Sequence, residues 1–225
     1  NDDTSIPFTL QKGEISNVTP TIFARFDSVD QIPQNLNNIA AFSLPLDIDI
    51  SGATLPNGAE KWVEMPRYVK NDTKLVERLK TFKEMGFIGA ICSNISQFDL
   101  AKKLGFKVAA NYSLNIYNSQ TAQLLEDIGC KMLTLSPELQ LGSAKKINSL
   151  AQKGIIAYGL LPLMLMVNCP IKNGMNCKDC GRKQYLTDRK GVKFPVRCRG
   201  EYSELLNSRP IYLADRMDEL NGFDF

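Results

Sequence analysis

From residue 70 onward the hydrophobic and polar positions repeat in one pattern. A polar start leads into an amphipathic helix, the helix ends at a glycine, and an apolar strand follows. Glycine suits the left-handed backbone position just past a helix end. The intervals between these glycines, 19, 24 and 25 residues, each fit one helix plus one strand. The predicted helix ends are Gly86, Gly105, Gly129 and Gly154.

The apolar runs that follow are nearly continuous, which is typical of a parallel sheet covered on both faces. They predict strands over 87–92, 106–112, 130–135 and 155–161. Earlier strands are predicted over 21–26, 39–44 and 62–65, and a last one over 210–213, before a terminal helix near 215–220. About eight strands favour an α/β fold of the (β/α)8-like barrel type, irregular or incomplete. An open doubly wound sheet is the alternative.

The predicted domain organisation is an irregular arm over 1–18 and a single barrel-like domain over 19–225. The longest uncharged stretch, 154–171, is too short and too interrupted to span a membrane. The first ten residues lack the basic start and apolar core of a signal peptide, so we expect a cytoplasmic protein. Because the first residue is Asn, we also expect the chain to be part of a longer polypeptide.

In a barrel of this kind the chemistry lies where strands end and loops begin. The polar residues at the predicted strand ends are Arg25, Asp27, Asp47, Glu64, Arg67, Ser93, Asn94, Asn111, Ser113, Asn115, Asn118, Ser136 and Glu138. Glu138 is a candidate general acid or base, or else a first-turn carboxylate that offsets a helix dipole. Glu64 is a second candidate carboxylate, and Arg67 is a candidate for electrostatic stabilisation.

Residues 111–118 are unusually rich in amide side chains. Asn111, Asn115 and Asn118 could bind a ligand there. The alternative is that they form turns and caps, with Asn118 or Ser119 as the helix N-cap.

Composition narrows the chemistry, because none of the 225 residues is histidine. A Ser-His-Asp triad, a Cys-His dyad and a His-Glu-x-x-His zinc protease all need imidazole, so none can be built within this chain. A metal site must use sulfur or oxygen ligands.

Four of the six cysteines lie within a module over 168–200, near the C-terminal end, with the spacing C-x7-C-x2-C-x17-C. A Cys-x-x-Cys turn followed by glycine can place two thiolates on one ion, and one distant cysteine on each side completes four ligands. Zinc is slightly favoured by the local spacing, and a 4Fe-4S cluster is the other cofactor. Disulfides or unligated thiols are the alternatives to a metal. The candidate ligands are Cys169, Cys177, Cys180 and Cys198, which leaves Cys92 and Cys130 as core thiols.

The same module is basic, with nine Lys or Arg against two Asp. Its net charge of +7 stands in a chain whose net charge is +3. Such a loop could attract nucleic acid or an acidic substrate. The cations could equally offset the negative charge of four thiolates on a metal.

Several motifs, taken in order, resemble the collagenase-like peptidases of unknown catalytic type, the U-32 family. They are Ser-Leu-Asn-Ile-Tyr-Asn-Ser at 113–119, Leu-Ser-Pro-Glu-Leu at 135–139, Tyr-Gly-Leu-Leu-Pro-Leu-Met at 158–164, Asn-Cys-Pro at 168–170, Leu-Thr-Asp-Arg-Lys-Gly at 186–191, Phe-Pro-Val at 194–196, Leu-Asn-Ser at 206–208 and Ile-Tyr-Leu-Ala-Asp at 211–215. The match covers roughly 85–220 and looks most like the C-terminal barrel of the long bacterial members.

The resemblance implies a barrel-like fold and peptide hydrolysis. Some relatives instead carry a cysteine-bound 4Fe-4S cluster and take part in hydroxylation of RNA bases or quinone precursors, which would make the four module cysteines its ligands. The family's acidic residue and His-Gly element are replaced by Ala157-Tyr158-Gly159, and Leu160 replaces an expected Arg. Tyr158 is counted among the ligand-binding candidates.

Three functions follow as hypotheses. The first is a peptide-hydrolysing domain with a four-cysteine metal site. The second is part of a cluster-dependent RNA-modifying, hydroxylating enzyme whose basic module faces RNA. The third is a non-catalytic binding or structural module of a larger enzyme. The expected partners are the rest of a longer polypeptide and a peptide or RNA substrate, with no membrane.

Overall fold

A curled parallel sheet forms the centre of the fold. The computed structural model describes residues 19–181 and 184–225. Its largest sheet has seven parallel strands in sequence order and curls into a half-barrel. The strands are β1 Ile22–Arg25, β2 Ile39–Pro45, β3 Glu60–Glu64, β4 Gly89–Cys92, β5 Lys107–Ala110, β6 Met132–Thr134 and β7 Gln152–Gly154. A doubly wound sheet reverses its strand order part-way, so the sequential order found here excludes that alternative.

Helices cover the outer face of the sheet between consecutive strands. They are α1 Asp72–Glu84, α2 Ser96–Lys103, α3 Ser119–Asp127 and α4 Leu141–Lys145. Short 3-10 helices occupy Val29–Gln31, Tyr112–Leu114, Pro170–Asn173 and Ala214–Leu220. Within residues 19–181 and 184–225 no helix is long and apolar enough to cross a membrane.

Alternation along the strands divides the apolar side chains between two layers. Outward-facing residues such as Phe42, Leu44 and Val63 join the main core beneath the helices. Inward-facing Ala41, Trp62 and Ala109 form a smaller cluster inside the curl. The Trp62 ring fills the space over Gly89, where a Cβ atom would overlap it.

Three of the four predicted helix-ending glycines are confirmed. The backbone φ values of Gly86, Gly105 and Gly129 are 84°, 77° and 94°, and residues other than glycine rarely adopt such values. The interpretation of Gly154 is wrong, because this residue ends β7 inside the curl. A side chain there would overlap the ring of Phe225, which explains the glycine.

The last two residues lie between the two edges of the curled sheet. The backbone N–H of Asp224 donates to the Lys153 carbonyl in β7 at 2.7 Å, and the Thr21 N–H beside β1 donates to the Asp224 carbonyl at 2.9 Å. The Ile155 N–H donates to the Phe225 carbonyl at 3.1 Å. Asp224 and Phe225 therefore bridge β7 and β1 at the place where an eighth strand would lie.

The C-terminal third contains a second, antiparallel sheet. This cap sheet has the strand order β10-β11-β12-β9 and consists of β9 Pro162–Met166, β10 Gln184–Thr187, β11 Lys193–Cys198 and β12 Ser203–Leu206. A two-stranded pair joins β8 Tyr158–Gly159 to β13 Ile211–Tyr212.

Two predicted barrel strands are therefore wrong. The run over 155–161 contains only β8 and the run over 210–213 only β13, and these two short strands pair with each other outside the seven-stranded sheet. Strand β7 lies earlier than predicted, because Glu126 Oε1 accepts the N–H groups of Leu150 and Ala151 and fixes the entry to the strand. The predicted arm over 1–18 lies outside the described residues.

Candidate active site at the barrel mouth

Charged side chains converge where β1, β2 and β3 end. Arg25 and Glu64 are the last residues of β1 and β3, and Asp27 and Asp47 follow β1 and β2. The cap sheet adds three more charged residues from β11, β12 and the turn between them. We call this set the mouth cluster: Arg25, Asp27, Asp47, Glu64, Arg197, Arg199 and Glu204.

The β11–β12 hairpin brings the cap sheet onto the mouth. Its turn spans 199–202, and Gly200 takes the left-handed φ of 75° that the turn requires. The Tyr202 hydroxyl accepts the backbone N–H of Arg67 at 3.3 Å. Glu201 Oε2 accepts the backbone N–H of Lys70 at 2.9 Å. These contacts hold the hairpin against the loop that follows β3.

Ion pairs join the hairpin to the strand ends. Asp27 contacts Arg197 at 3.1 Å and Arg199 at 3.0 Å. Arg199 also lies 3.6 Å from Asp47 and 3.5 Å from Glu204. The side chains of Arg199 and Glu204 are only 5% and 4% exposed. A largely desolvated charge network of this kind is strongly coupled, because the local dielectric is low.

The network shifts the ionisation of its members. Burial opposes ionisation of Asp27, but the guanidinium groups of Arg25, Arg197 and Arg199 outweigh it and lower the pKa of Asp27. Burial also opposes the charged form of Arg25, but the carboxylates of Glu64 and Asp27 raise its pKa. The pKa of Asp47 is raised instead, because its burial outweighs the opposing charge of the Arg199 guanidinium.

Glu64 points into the curl at the end of β3. Its carboxylate forms a direct ion pair with Arg25 Nε. Asn111 Nδ2 donates to Glu64 Oε1 at 3.4 Å and to Ser93 Oγ at 3.1 Å. Tyr112 lies near Glu64. Burial makes the larger contribution and the negative charge of Glu64 the next, and together they raise the pKa of Tyr112 to about 12.

A small crevice opens within the mouth cluster. Its volume is about 10 Å³, roughly room for one water molecule. Its polar lining comes from Arg25, Asp47, Glu64, Arg199, Tyr202 and Glu204. One layer below Glu64 on the neighbouring strand, the buried Ser43 Oγ has no hydrogen-bond partner within the part of the chain that the structure describes.

The three predicted catalytic residues are not in one place. Glu64 belongs to the mouth cluster, and Arg67 lies beside it, half-buried, with its backbone bonded to Tyr202. Glu138 is exposed, and its backbone N–H donates to Ser136 Oγ at 3.4 Å. Its neighbours Pro137 and Leu139 line a separate, mainly apolar cavity of about 290 Å³.

The predicted ligand-binding residues also separate. Asn111 is buried at the mouth. Asn115 is exposed and forms a turn with a left-handed φ of 51°. Asn118 is the N-cap of α3, accepting the Thr121 N–H at 2.8 Å, so the capping alternative is confirmed for this residue. Tyr158 is exposed and packs edge-on against Tyr212 with ring centroids 6.2 Å apart.

Two of the four candidate metal ligands, Cys169 and Cys198, lie on the side of the hairpin that faces away from the mouth. Side chains alternate along a strand, so Cys198 faces away from the side on which Arg197 meets Asp27. Cys198 pairs in register with Ser203, and Ser203 hydrogen-bonds the Cys169 thiol. Cys177 and Cys180 follow in the loop before β10.

These cysteines do not form a ligand group in this arrangement. Within the two described ranges no three His, Cys, Asp or Glu side chains are grouped to hold a metal ion. None of the six cysteines, all in the described part of the chain, forms a disulfide. The zinc or iron–sulfur site stays a prediction from the sequence.

The basic module is used in two ways. Arg197 and Arg199 turn inward and form ion pairs with Asp27, another member of the mouth cluster. Lys190 and Lys193 are exposed, and Lys193 Nζ lies 4.3 Å from the centre of the Tyr185 ring. Only part of the +7 charge is therefore presented to solvent.

Sequence reasoning missed the hairpin residues Arg197, Arg199, Tyr202 and Glu204. The available signal was the short alternation of charge and apolar residues on both sides of Gly200. The basic module hides this signal, because both arginines also belong to it.

Comparison with known proteins identifies the family. Residues 65–220 match the model of peptidase family U32. The chain belongs to this family. An uncharacterized protease of Methanocaldococcus jannaschii, MJ0090, is 27% identical over 169 residues, which cover 67% of this chain and 41% of that protein. The chain thus spans about two fifths of the length of this relative.

A solved structure of the U32 peptidase Mk0906 is also similar. It has 12% sequence identity and a TM-score of 0.45, and the match covers 67% of this chain and 73% of the other.

Proposed function

We propose that this chain is a peptide-hydrolysing domain whose chemistry takes place at the barrel mouth, with Glu64 as the base. The observation that carries the proposal is the placement of Glu64 in the crevice, between Arg25 and Asn111. This is the carboxyl end of the parallel strands, where barrel enzymes hold their reacting groups. Membership of family U32 supports hydrolysis as the reaction class.

In the proposed reaction Glu64 accepts a proton from a water molecule as the water oxygen attacks the peptide carbonyl carbon. Arg25 positions the Glu64 carboxylate through their ion pair. Arg67, on the loop after β3, can stabilise the negative charge that develops on the carbonyl oxygen. Ser43 Oγ, which has no hydrogen-bond partner among the described residues, adds a polar group beneath the reacting carboxylate.

A peptide needs more room than this crevice of about 10 Å³ offers. We therefore propose that the β11–β12 hairpin moves away from the mouth when substrate binds. The contacts to be broken include the Tyr202 and Glu201 hydrogen bonds and the ion pairs of Arg199 with Asp27 and Asp47.

The test is hydrolysis of a fluorogenic peptide library by the wild type, Glu64→Gln and Glu138→Gln. Loss of a general base typically lowers kcat about 10²- to 10⁴-fold, and we expect this for Glu64→Gln. Glu138→Gln is the matched control and should stay near wild type, because Glu138 is exposed outside the mouth cluster. The reverse result would move the reaction to the 290 Å³ cavity beside Glu138.

RNA binding is a second candidate, favoured by the exposed cation–aromatic pair of Lys193 and Tyr185 together with Lys190. Basic and aromatic side chains on one surface suit single-stranded nucleic acid. RNA affinity should then fall steeply with salt and weaken in Lys190→Gln and Lys193→Gln. If the chain neither cleaves peptide nor binds RNA, a structural role within a larger enzyme is the remaining hypothesis.

A further inference from the structure

A second carboxyl group, that of Asp47, lines the same crevice as Glu64. Asp47 follows β2, the strand that pairs with β3 in parallel register. The backbone N–H of Leu46 donates to the Glu64 carbonyl at 3.0 Å, so the two strand ends are locked side by side. The fold thus holds three carboxyl groups at one small opening, and the third, that of Glu204, is only 4% exposed and lies 3.5 Å from Arg199 Nε.

The surroundings of the Glu64 and Asp47 carboxyl groups are unlike. Glu64 has a direct ion pair with Arg25 and an amide hydrogen bond from Asn111. Among the described residues, the cation nearest to Asp47 is that of Arg199, whose Nη1 lies 3.6 Å away, which is longer than a hydrogen bond. Two carboxyl groups in unlike environments are a recurrent way to assign one proton acceptor and one proton donor.

The charged and titratable groups around Asp47 come from three elements. Glu64 faces it from β3, while Arg199 and Tyr202 face it from the hairpin. Arg78 approaches from α1, but its guanidinium is bonded to the carbonyl oxygens of Leu46 at 2.6 Å and Ile48 at 2.5 Å. Burial and the charge of Glu64 raise the pKa of Asp47, and Arg199 and Arg78 only partly oppose them.

We propose that Asp47 is the proton donor that works with Glu64, an inference that rests on the proposed peptide hydrolysis. Glu64 takes a proton from water as the carbon–oxygen bond forms. The carboxylic acid of Asp47 gives its proton to the amide nitrogen as the carbon–nitrogen bond breaks. The products are a carboxylic acid and an amine, and the proton on Glu64 returns to Asp47 through solvent.

Asp47→Asn tests this role, with Asp49→Asn as the matched control. Asp49 is exposed on the same loop, and its side chain is hydrogen-bonded to Ser51, including a bond from the Ser51 N–H at 2.9 Å that asparagine can keep. Wild-type kcat/KM, which reports the ionisation of the free enzyme, should fall as pH rises through the raised pKa of Asp47. Asp47→Asn should lower kcat about 10²- to 10⁴-fold and lack that alkaline fall. Asp49→Asn should match the wild type.

A second measurement does not depend on activity. Carboxyl ¹³C shifts of the wild type should show Asp47 titrating at higher pH than Asp49, whose pKa is lowered by its hydrogen bond to Ser51. In Glu64→Gln the titration of Asp47 should move to lower pH, because a neighbouring negative charge is removed.

Three results would contradict parts of this assignment. If Asp47 titrates at or below Asp49, it is not the proton donor, whatever the activity. If hydrolysis is lost in Glu64→Gln but unchanged in Asp47→Asn at every pH, the role of Asp47 alone is wrong. If the wild type hydrolyses no peptide, the proposed function fails and the catalytic role of Asp47 fails with it.

Discussion

Replacing Arg199 by methionine should destabilise the fold more than any exposed charge substitution. The change keeps an unbranched apolar side chain of comparable length but removes the cation that Asp27, Asp47 and Glu204 share. Three carboxyl groups would then be left beside one another, with Arg25, Arg197 and Arg78 as neighbouring cations among the described residues. Since the side chain of Arg199 is 5% exposed, water cannot replace the lost cation.

Breaking a buried ion pair by removing one partner costs about 3–5 kcal/mol. Asp27 and Asp47 are 38% and 25% exposed, so solvent moderates their part. Glu204, at 4%, has no such relief. We therefore expect Arg199→Met to lower the free energy of unfolding by about 3 kcal/mol at neutral pH.

The loss of stability in Arg199→Met should become smaller as the pH is lowered. Arg199 helps to lower the pKa of Asp27 and opposes the rise in the pKa of Asp47, so its removal raises the folded-state pKa of both groups. A group whose folded pKa is lowered stabilises the fold above its unfolded pKa and loses that effect as pH falls through the folded pKa. Near pH 4, roughly the ordinary carboxyl pKa, protonation removes the repulsion between the carboxyl groups of the variant. The difference in unfolding free energy between variant and wild type should then become smaller.

Urea denaturation followed by far-ultraviolet circular dichroism measures both effects. Arg216→Met is the matched control, because Arg216 also forms a two-bonded ion pair, at 2.7 and 2.6 Å from Glu219, but on an exposed surface. It should change stability little. Equal losses in the two variants, or a loss in Arg199→Met that does not change with pH, would refute the account of a buried, coupled network.

Three further predictions concern other parts of the chain. Gly89→Ala should lower the free energy of unfolding by about 1–3 kcal/mol, because a Cβ atom would overlap the buried ring of Trp62. The control is Gly142→Ala, which has open space around it in α4 and should leave the temperature of thermal unfolding unchanged or raise it. Asn118→Ala should cost about 1 kcal/mol of stability through the lost cap of α3, measured in the same way, with peptide hydrolysis unchanged. If the cysteine module binds metal, elemental analysis after anaerobic purification should find zinc or iron that is lost in Cys177→Ser and kept in Cys92→Ser; equal metal in both variants would contradict it.

The sequence predicted the parallel half of the fold because each unit there is local. A helix, a glycine with a left-handed backbone and an apolar strand follow one another, as at Gly86, Gly105 and Gly129. The carboxyl-end residues Arg25, Asp47 and Glu64 could be placed together by the same rule, since parallel strands end at one edge. The members of the mouth cluster that the strand ends supply could therefore be predicted from the sequence.

The members of the mouth cluster that the β11–β12 hairpin supplies could not be predicted in this way. Arg199 meets Asp27 across 172 positions of sequence, and no local pattern records such a contact. The alternation of Arg197 and Cys198 assigns opposite faces only once β11 is known to be a strand. Likewise, the role of Gly154 depends on Phe225, a residue far along the chain that fills the space a side chain would take.

The bridge made by Asp224 and Phe225 has a consequence for folding kinetics. Its contact with Thr21 spans 203 positions, whereas neighbouring strands such as β4 and β5 pair across one short helix. Contacts between distant segments require the costliest loop closure, so they are expected to form after the local units. Weakening the bridge should then leave the folding rate almost unchanged and accelerate unfolding, which makes the final two residues a determinant of how long the native state persists.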